Sequence, residues 1–547
     1  MKLKAYDLIA RILQKEGVEV LTCFPHSEII DGAAAVGIRP VMARTERVAL
    51  NIADGYARVS DGRKVGVATV QYGPGSEAAF AGVAQCYGDG SPVLYLPTGY
   101  PTGQLDVAPN FVAARSLREV TKWGETVVDP ARLPQMLKHA FAELRGGKPG
   151  PVMIETPVDI LNGECDFDPE DYRPTRGSSP HPDPGDIEEA AHALLAAKRP
   201  VLVAGQGIFY ARAWDELREL AELLQVPVMT TLNGKSAFPE THALALGAGG
   251  ATRPATVDHF LAAADLVFGI GTSFTRSEYI TPVPAGKTMA QITNSAADLA
   301  KDYAISFGAI GDAKAALRAM IGAVTARLGA GGRRGEAATA REVQAVKQDF
   351  LASWMPLLTS DEEPINPYRL IWELNASLDK SRSIVTHDAG SPRDQMVPFF
   401  EATVPHGYIG WGKTTQLGLG LGLAMGAKLA RPDRLCVNVM GDAAFGMTGM
   451  DFETAVRCGL PILSVVLKNG VMGGYTGYLP IAAEKYRIHQ LGGDYAGVAA
   501  ALGGYSEQVE KSGDLKPALA RCLAEVAAGR PALLQVITKE ETRFAKG

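Results

Sequence analysis

The chain has 547 residues, 46% of them hydrophobic, which is enough for several buried cores of ordinary domain size. With 54 Lys and Arg against 60 Asp and Glu, the net charge is −6 and no long basic stretch occurs, so nucleic acid is not an expected partner. No apolar run is long enough to cross a bilayer, and the segment from Met1 to Asp7 has no hydrophobic signal-peptide core, so a cytoplasmic protein with no membrane partner is expected. Cys23, Cys86, Cys165, Cys436, Cys458 and Cys522 are scattered without a C-x-x-C pair, as free thiols in a reducing compartment would be.

Near the N-terminus, the run from Ala43 to Arg58 predicts a helix beginning at Glu46, with Val48, Ala49, Leu50 and Ile52 on its buried face. A carboxylate there would stand at an apolar pocket wall, where desolvation raises its pKa. The plain alternative is a first-turn glutamate favoured by the helix dipole. Strands at 64–70 and 92–96 are expected, with the turn Tyr72-Gly73-Pro74-Gly75 after the first. Residues 171–186 mix Pro, Gly and Ser in a way that suits neither sheet nor helix and read as a linker. Strands at 200–204, 227–231 and 266–270 follow. Gly205-Gln206-Gly207 comes after the first of them, but Tyr210 occupies the third glycine position of a dinucleotide fingerprint, which argues against FAD. A second connection, 328–367, contains one helix, and the last piece has strands at 383–386, 435–440, 462–467 and 532–537. Each piece alternates strand and helix patterns, so the expected fold is α/β, with three doubly wound parallel sheets in domains 1–170, 187–327 and 365–547.

The strongest signal lies in Val437 to Gly446 and Leu460 to Gly470. Two strand-like runs each end in a small polar cluster, and the segment between them can hold a crossover helix. That puts Asp442 and Asn469 at neighbouring carboxyl ends of a parallel sheet, where ligands bind. One carboxylate and one amide oxygen suit Mg2+ holding a diphosphate; an aspartate capping an ordinary helix is the alternative. Gly441-Asp442-Ala443 and Lys468-Asn469 resemble the Gly-Asp-Gly…Asn-Asn signature of thiamine diphosphate enzymes, in particular the acetolactate synthase-like decarboxylases and carboligases. Ala443 and Lys468 depart from that signature, while both side chains matched to metal ligands remain.

The segment around Glu46 likewise resembles the one that carries the family's catalytic glutamate. The resemblance covers essentially the whole chain. It implies a pyrimidine-binding, a central and a diphosphate-binding domain, thiamine diphosphate and Mg2+ as cofactors, and a homodimer or homotetramer with active sites between subunits. It implies that Glu46 hydrogen-bonds the pyrimidine and favours its imino form, and that the Val471 carbonyl joins Asp442 and Asn469 on the metal. It also implies that Leu417 wedges between the two cofactor rings and that Thr415 offers its carbonyl to the aminopyrimidine. Gly73, Gly441 and the small residues Ala389, Gly390, Ser391, Ala443, Ala444, Met472 and Gly473 complete the implied cofactor set.

Substrate-facing positions differ from the acetolactate synthases. Pro25-His26-Ser27, followed by Glu28, stands in place of the family's Pro-Gly-Gly turn, and His26 could relay protons or be an ordinary hydrogen-bonded turn residue. Gln71 precedes the glycine turn, and Asn110-Phe111 lie where a glutamine and a phenylalanine are expected. The loop after Asn469, with Met472, Tyr475, Tyr478 and Leu479, reads as a lid over substrate or as interface packing. Arg393 and His387 flank Asp388-Ala389-Gly390, where an anion could bind, although a solvated surface arginine is the expectation. The segment Gly271 to Arg276 lacks the acidic pair of flavin-containing synthases, and Asn294 replaces their ribose-binding aspartate. The implied activity is decarboxylation or acyloin-type carboligation of a 2-oxo acid or related small carbonyl compound. The alternatives are cleavage of an acyl-CoA or a diketone, and a non-catalytic binding or regulatory homologue, for which Glu46, Asp442 and Asn469 would have no use.

Overall fold

Continuous apolar runs such as Pro200–Ala204 and Ile462–Lys468 are buried along nearly their whole length, as strands covered by helices on both faces must be. The computed structural model describes residues 2–546, apart from the side chain of Thr476; Met1 and Gly547, the outer limits of the expected domains, lie outside the described residues. The contacts divide the chain into two compact units that do not follow chain order: 1–178 with 421–433 and 448–462, and 179–420 with 434–447 and 463–547.

In the first unit the sheet runs in the spatial order Arg39–Met42, Val20–Cys23, Gly66–Thr69, Val93–Tyr95, Val152–Pro157 and Thr98–Gly99, with Trp123–Thr126 also pairing to Val152–Pro157. Its ladders are parallel, Gly66 lying opposite Val93 and Leu94 opposite Val152. The expected strands 64–70 and 92–96 are therefore trimmed at both ends to Gly66–Thr69 and Val93–Tyr95.

The second unit holds two six-stranded sheets. One has the order Ala245–Ala248, Val228–Thr230, Pro200–Ala204, Leu266–Ile270, Thr288–Thr293 and Phe307–Ile310. The other has Tyr408–Ile409, Ser383–His387, Leu435–Gly441, Ile462–Lys468, Ala532–Ile537 and Tyr505–Val509. Both are doubly wound, since chain neighbours in sequence are not always neighbours in the sheet.

Of the two expected connections, one needs correction. Helix Pro184–Ala196 starts inside the stretch read as linker, because Asp183 caps the Gly185 N–H and Pro184 sits in the first turn, where its missing donor costs nothing. The one helix expected within the second connection is present as Ala338–Leu358. Val343 packs into the core of the middle sheet, while Phe350, Trp354 and Leu358 pack into that of the last.

Candidate active site

Strand Leu435–Gly441 ends where helix Asp442–Thr448 begins, which leaves the Asp442 carboxylate at the carboxyl edge of the sheet. Its Oδ1 accepts the Ala443 N–H at 2.8 Å and its Oδ2 the Gly470 N–H at 2.8 Å, so the turn after the neighbouring strand Ile462–Lys468 is tied to it directly. Burial raises the Asp442 pKa, opposed by those amides and by nearby Lys468. Asn469 Oδ1 accepts the Val471 N–H at 3.1 Å. The chain then bridges to Gln490 through Met472 N–H to His489 O and Leu491 N–H to Gly470 O, a pairing that makes no use of the Val471 carbonyl.

These residues face a cavity of about 420 Å³. Around it stand Ala389, Gly390, Ser391, Thr415, Leu417, Gly441, Asp442, Ala443, Ala444, Asn469, Val471, Met472 and Gly473, every expected cofactor position of this unit, and Tyr475 and Tyr478 of the expected lid, whereas Leu479 does not line it. Leu417 is half-buried rather than sealed in a core. The buried Asp388 was not singled out from sequence, yet it organises the wall. One of its oxygens accepts the Ala389 and Gly418 N–H groups at 2.7 and 2.8 Å and the other the Gly420 N–H at 2.8 Å, locking the 389–391 turn to the segment bearing Leu417.

Glu46, in the first unit, opens helix Glu46–Val59, whose start is capped by the Thr45 hydroxyl accepting the Val48 N–H. Val48, Ala49, Leu50 and Ile52 are fully buried, and desolvation raises the Glu46 pKa. A Cβ on Gly75 would stand 3.6 Å from Glu46 Oε1 and 2.8 Å from Gln71 Cγ, so the glycine turn brings Glu46 and Gln71 together. Gly73 has φ +60°, which favours glycine, and a Cβ there would come within 2.5 Å of Tyr100 Oη and displace that ring. Behind it, Asp451 accepts the Arg44 N–H at 2.7 Å and the Thr454 hydroxyl at 3.0 Å, which holds the strand end leading into Glu46. His26 is exposed, 3.9 Å from Glu28, whose carboxylate takes the Asn162 amide at 3.0 Å. Asn110 is tied to Gln104 O at 3.0 Å, and Phe111 packs at the edge of a core beside helix Pro74–Asp89.

By sequence the chain matches three domain families: "Thiamine pyrophosphate enzyme, N-terminal TPP binding domain" over residues 3–122, the "central domain" over 187–320 and the "C-terminal TPP binding domain" over 388–536. The chain belongs to the thiamine diphosphate enzyme family. It is of the acetolactate synthase-like decarboxylase and carboligase type. It is 28% identical to a probable acetolactate synthase large subunit of Methanocaldococcus jannaschii, over 86% of this chain and 81% of the other. It is 27% identical to a glyoxylate carboligase of Escherichia coli, over 100% and 95%. With the acetolactate synthase isozyme 3 large subunit of Escherichia coli it shares 28% identity over 98% and 94%.

The donor set fits the magnesium diphosphate of such a cofactor. Asp442, Asn469 and the Val471 carbonyl are all hard oxygens, and a single carboxylate leaves the other positions to phosphate and water. Among the described residues no group of three His, Cys, Asp or Glu suited to a metal occurs.

Arg393 corrects the sequence reading. It is not a solvated surface residue: its side chain is 7% exposed, lines the cavity, gives its Nε–H to Asp394 at 2.7 Å, and lies against the rings of Tyr279 and Trp411, 5.2 and 5.3 Å from their centroids. His387 is fully buried. Tyr279, Thr538 and Lys539 also line the cavity and carried no local motif. Lys539 follows the last strand, Ala532–Ile537, so the rule placing ligands beyond carboxyl strand ends could have found it. Tyr279 comes from a loop of the middle piece and could not be found that way. There, a Cβ on Gly205 or Gly207 would strike the Gly271 backbone at 2.2 or 2.7 Å, so the close approach of these two backbone segments calls for glycine at both positions.

Proposed function

We propose that the protein is a thiamine diphosphate- and Mg2+-dependent enzyme that decarboxylates a 2-oxo acid and transfers the acyl unit, or ligates related small carbonyl compounds. The observation that carries this reading is the convergence of Asp442, Asn469, the Val471 carbonyl, the 389–391 turn and Leu417 on one cavity. When bound, the cofactor supplies an electron sink for breaking and making bonds beside a carbonyl carbon. The chain's part is to hold and shape it. Asp442, Asn469 and the Val471 carbonyl would hold the metal, with the 389–391 and 472–473 amides on the diphosphate. Leu417 would set the angle between the rings, and Glu46, kept protonated more readily by burial, would exchange a proton with the pyrimidine nitrogen. Glu46 and the metal cradle are proposed to meet between two subunits of a homodimer or homotetramer. Among the described residues no helix is long and apolar enough to cross a membrane, and the six cysteines are unpaired, which supports a reducing cytoplasmic setting.

Calorimetric titration with thiamine diphosphate and Mg2+ tests the cofactor, and a panel of pyruvate, benzoylformate, oxalyl-CoA and cyclic diketones, scored for carbon dioxide and ligated product, tests the chemistry. Saturable uptake with carbon dioxide release from a 2-oxo acid is expected. No uptake at millimolar cofactor would sink the proposal, and turnover of only the CoA ester or diketone would replace its substrate class.

A further inference from the structure

A charged side chain that lines a cavity and keeps a buried donor unused, beyond the ion pair it already makes, can take a further acceptor there. Arg393 meets that description: Nη1 has no hydrogen-bond partner among the described residues, while Nε is committed to Asp394. The Tyr279 and Trp411 rings lie against the guanidinium, and the indole Nε1 of Trp411 is a second buried donor with no hydrogen-bond partner among the described residues. An oxyanion with two acceptor atoms is what the free edge of a guanidinium recognises.

Two anions could enter the cavity, a diphosphate and a substrate carboxylate, and the positions of the neighbours favour the second. Ser391 turns towards Gly473, where a Cβ would stand 3.2 Å from its Oγ, on the side of the metal cradle. Arg393 is two residues further along helix Ser391–Phe399, and side chains at that spacing do not share a face. It leans instead on Tyr279, which lines the cavity together with Thr415 and Leu417. We propose that Arg393 is a substrate-binding residue that grips the carboxylate of an oxo-acid substrate, so that the cavity selects acids over the corresponding aldehydes and esters. This rests on reading the cavity as the cofactor and substrate site.

The test titrates the cofactor-loaded enzyme, and separately the cofactor-free enzyme, with lactate and mandelate, which cannot react, and with their methyl esters. The wild type is expected to bind each acid about tenfold or more tightly than its ester. In Arg393→Gln that ratio should fall to about one, with Arg393→Lys keeping part of it, and affinity for thiamine diphosphate should stay within about twofold. Equal binding of acid and ester by the wild type would overturn the assignment. So would an unchanged ratio in the variant, or a collapse of cofactor affinity with acid selection intact, which would give Arg393 to the diphosphate. Circular dichroism and the lysine variant guard against simple misfolding. Failure of the wild type to take up thiamine diphosphate would strike the cofactor reading alone, because the acid-to-ester ratio is also read without it.

Discussion

Glu46 owes its chemistry to its place: a carboxyl at the first turn of a helix buried along almost its whole length cannot be well hydrated, and its pKa rises for that reason. Glu46→Gln keeps shape and one hydrogen bond but removes the titrating proton. Turnover should fall about 10²-fold or more with thiamine diphosphate affinity nearly unchanged, measured by steady-state kinetics and calorimetry. Undiminished turnover would remove Glu46 from the mechanism. Asp451 makes a different prediction. Burial pushes its pKa up to about 6, against the Arg44 amide and the Thr45 and Thr454 hydroxyls. A carboxyl raised in the folded state favours folding below the ordinary carboxyl range, and that contribution is lost as pH climbs through 6. Compared with Asp451→Asn, the wild type should therefore lose about 2 kcal/mol more stability between pH 4 and 7.5. Urea unfolding at the two pH values reads the difference; parallel behaviour of the two proteins would contradict it.

The helix that presents Glu46 is held by glycines. A Cβ on Gly55 would lie 2.4 Å from the Leu423 carbonyl, and one on Gly426 would lie 2.1 Å from the Ile52 carbonyl and 2.6 Å from the Tyr56 nitrogen. The backbones of helix Glu46–Val59 and of residues 421–430 thus touch without intervening side chains. No rotamer relieves a clash with backbone, so Gly426→Val must push the helices apart. About 3 kcal/mol of stability should be lost, together with activity through displacement of Glu46, as read by denaturant midpoint and turnover. A variant with wild-type stability would show that the helices part freely. Helix Ala338–Leu358 illustrates the opposite strategy: Val343 at one end and Phe350, Trp354 and Leu358 at the other bind it into two cores.

For the assembled protein the cofactor is also a stabiliser, since a ligand bound only by the folded state adds about 2.7 kcal/mol at one hundred times its Kd. Thiamine diphosphate with Mg2+ should raise the melting temperature by several degrees, EDTA should reverse the shift, and Asp442→Ala should abolish it. Light scattering of the loaded enzyme should give a dimer or a tetramer. An active monomer would rule out sites shared between subunits.

Strands whose apolar runs are continuous, such as Leu266–Ile270 and Ala532–Ile537, were readable to the residue, because a strand buried on both faces has only one kind of sequence to use. Asp442 and Asn469 were readable too, since chain geometry alone puts both at carboxyl strand ends. Strand limits at 66–69 and 93–95 depended on which neighbour a strand could pair with. The burial of Arg393 depended on Tyr279 and Trp411, which no local pattern connects to it. Asp388 gathers amides from residues thirty positions away, and the first compact unit borrows 421–433 and 448–462 from the last third of the chain. Periodicity and local motif thus carried the elements and the placement of Asp442 and Asn469 at strand ends, because both are set by nearest neighbours along the chain. Which charge is sealed in, and which helix leans on which, is set by groups distant in sequence that meet only when the chain is folded.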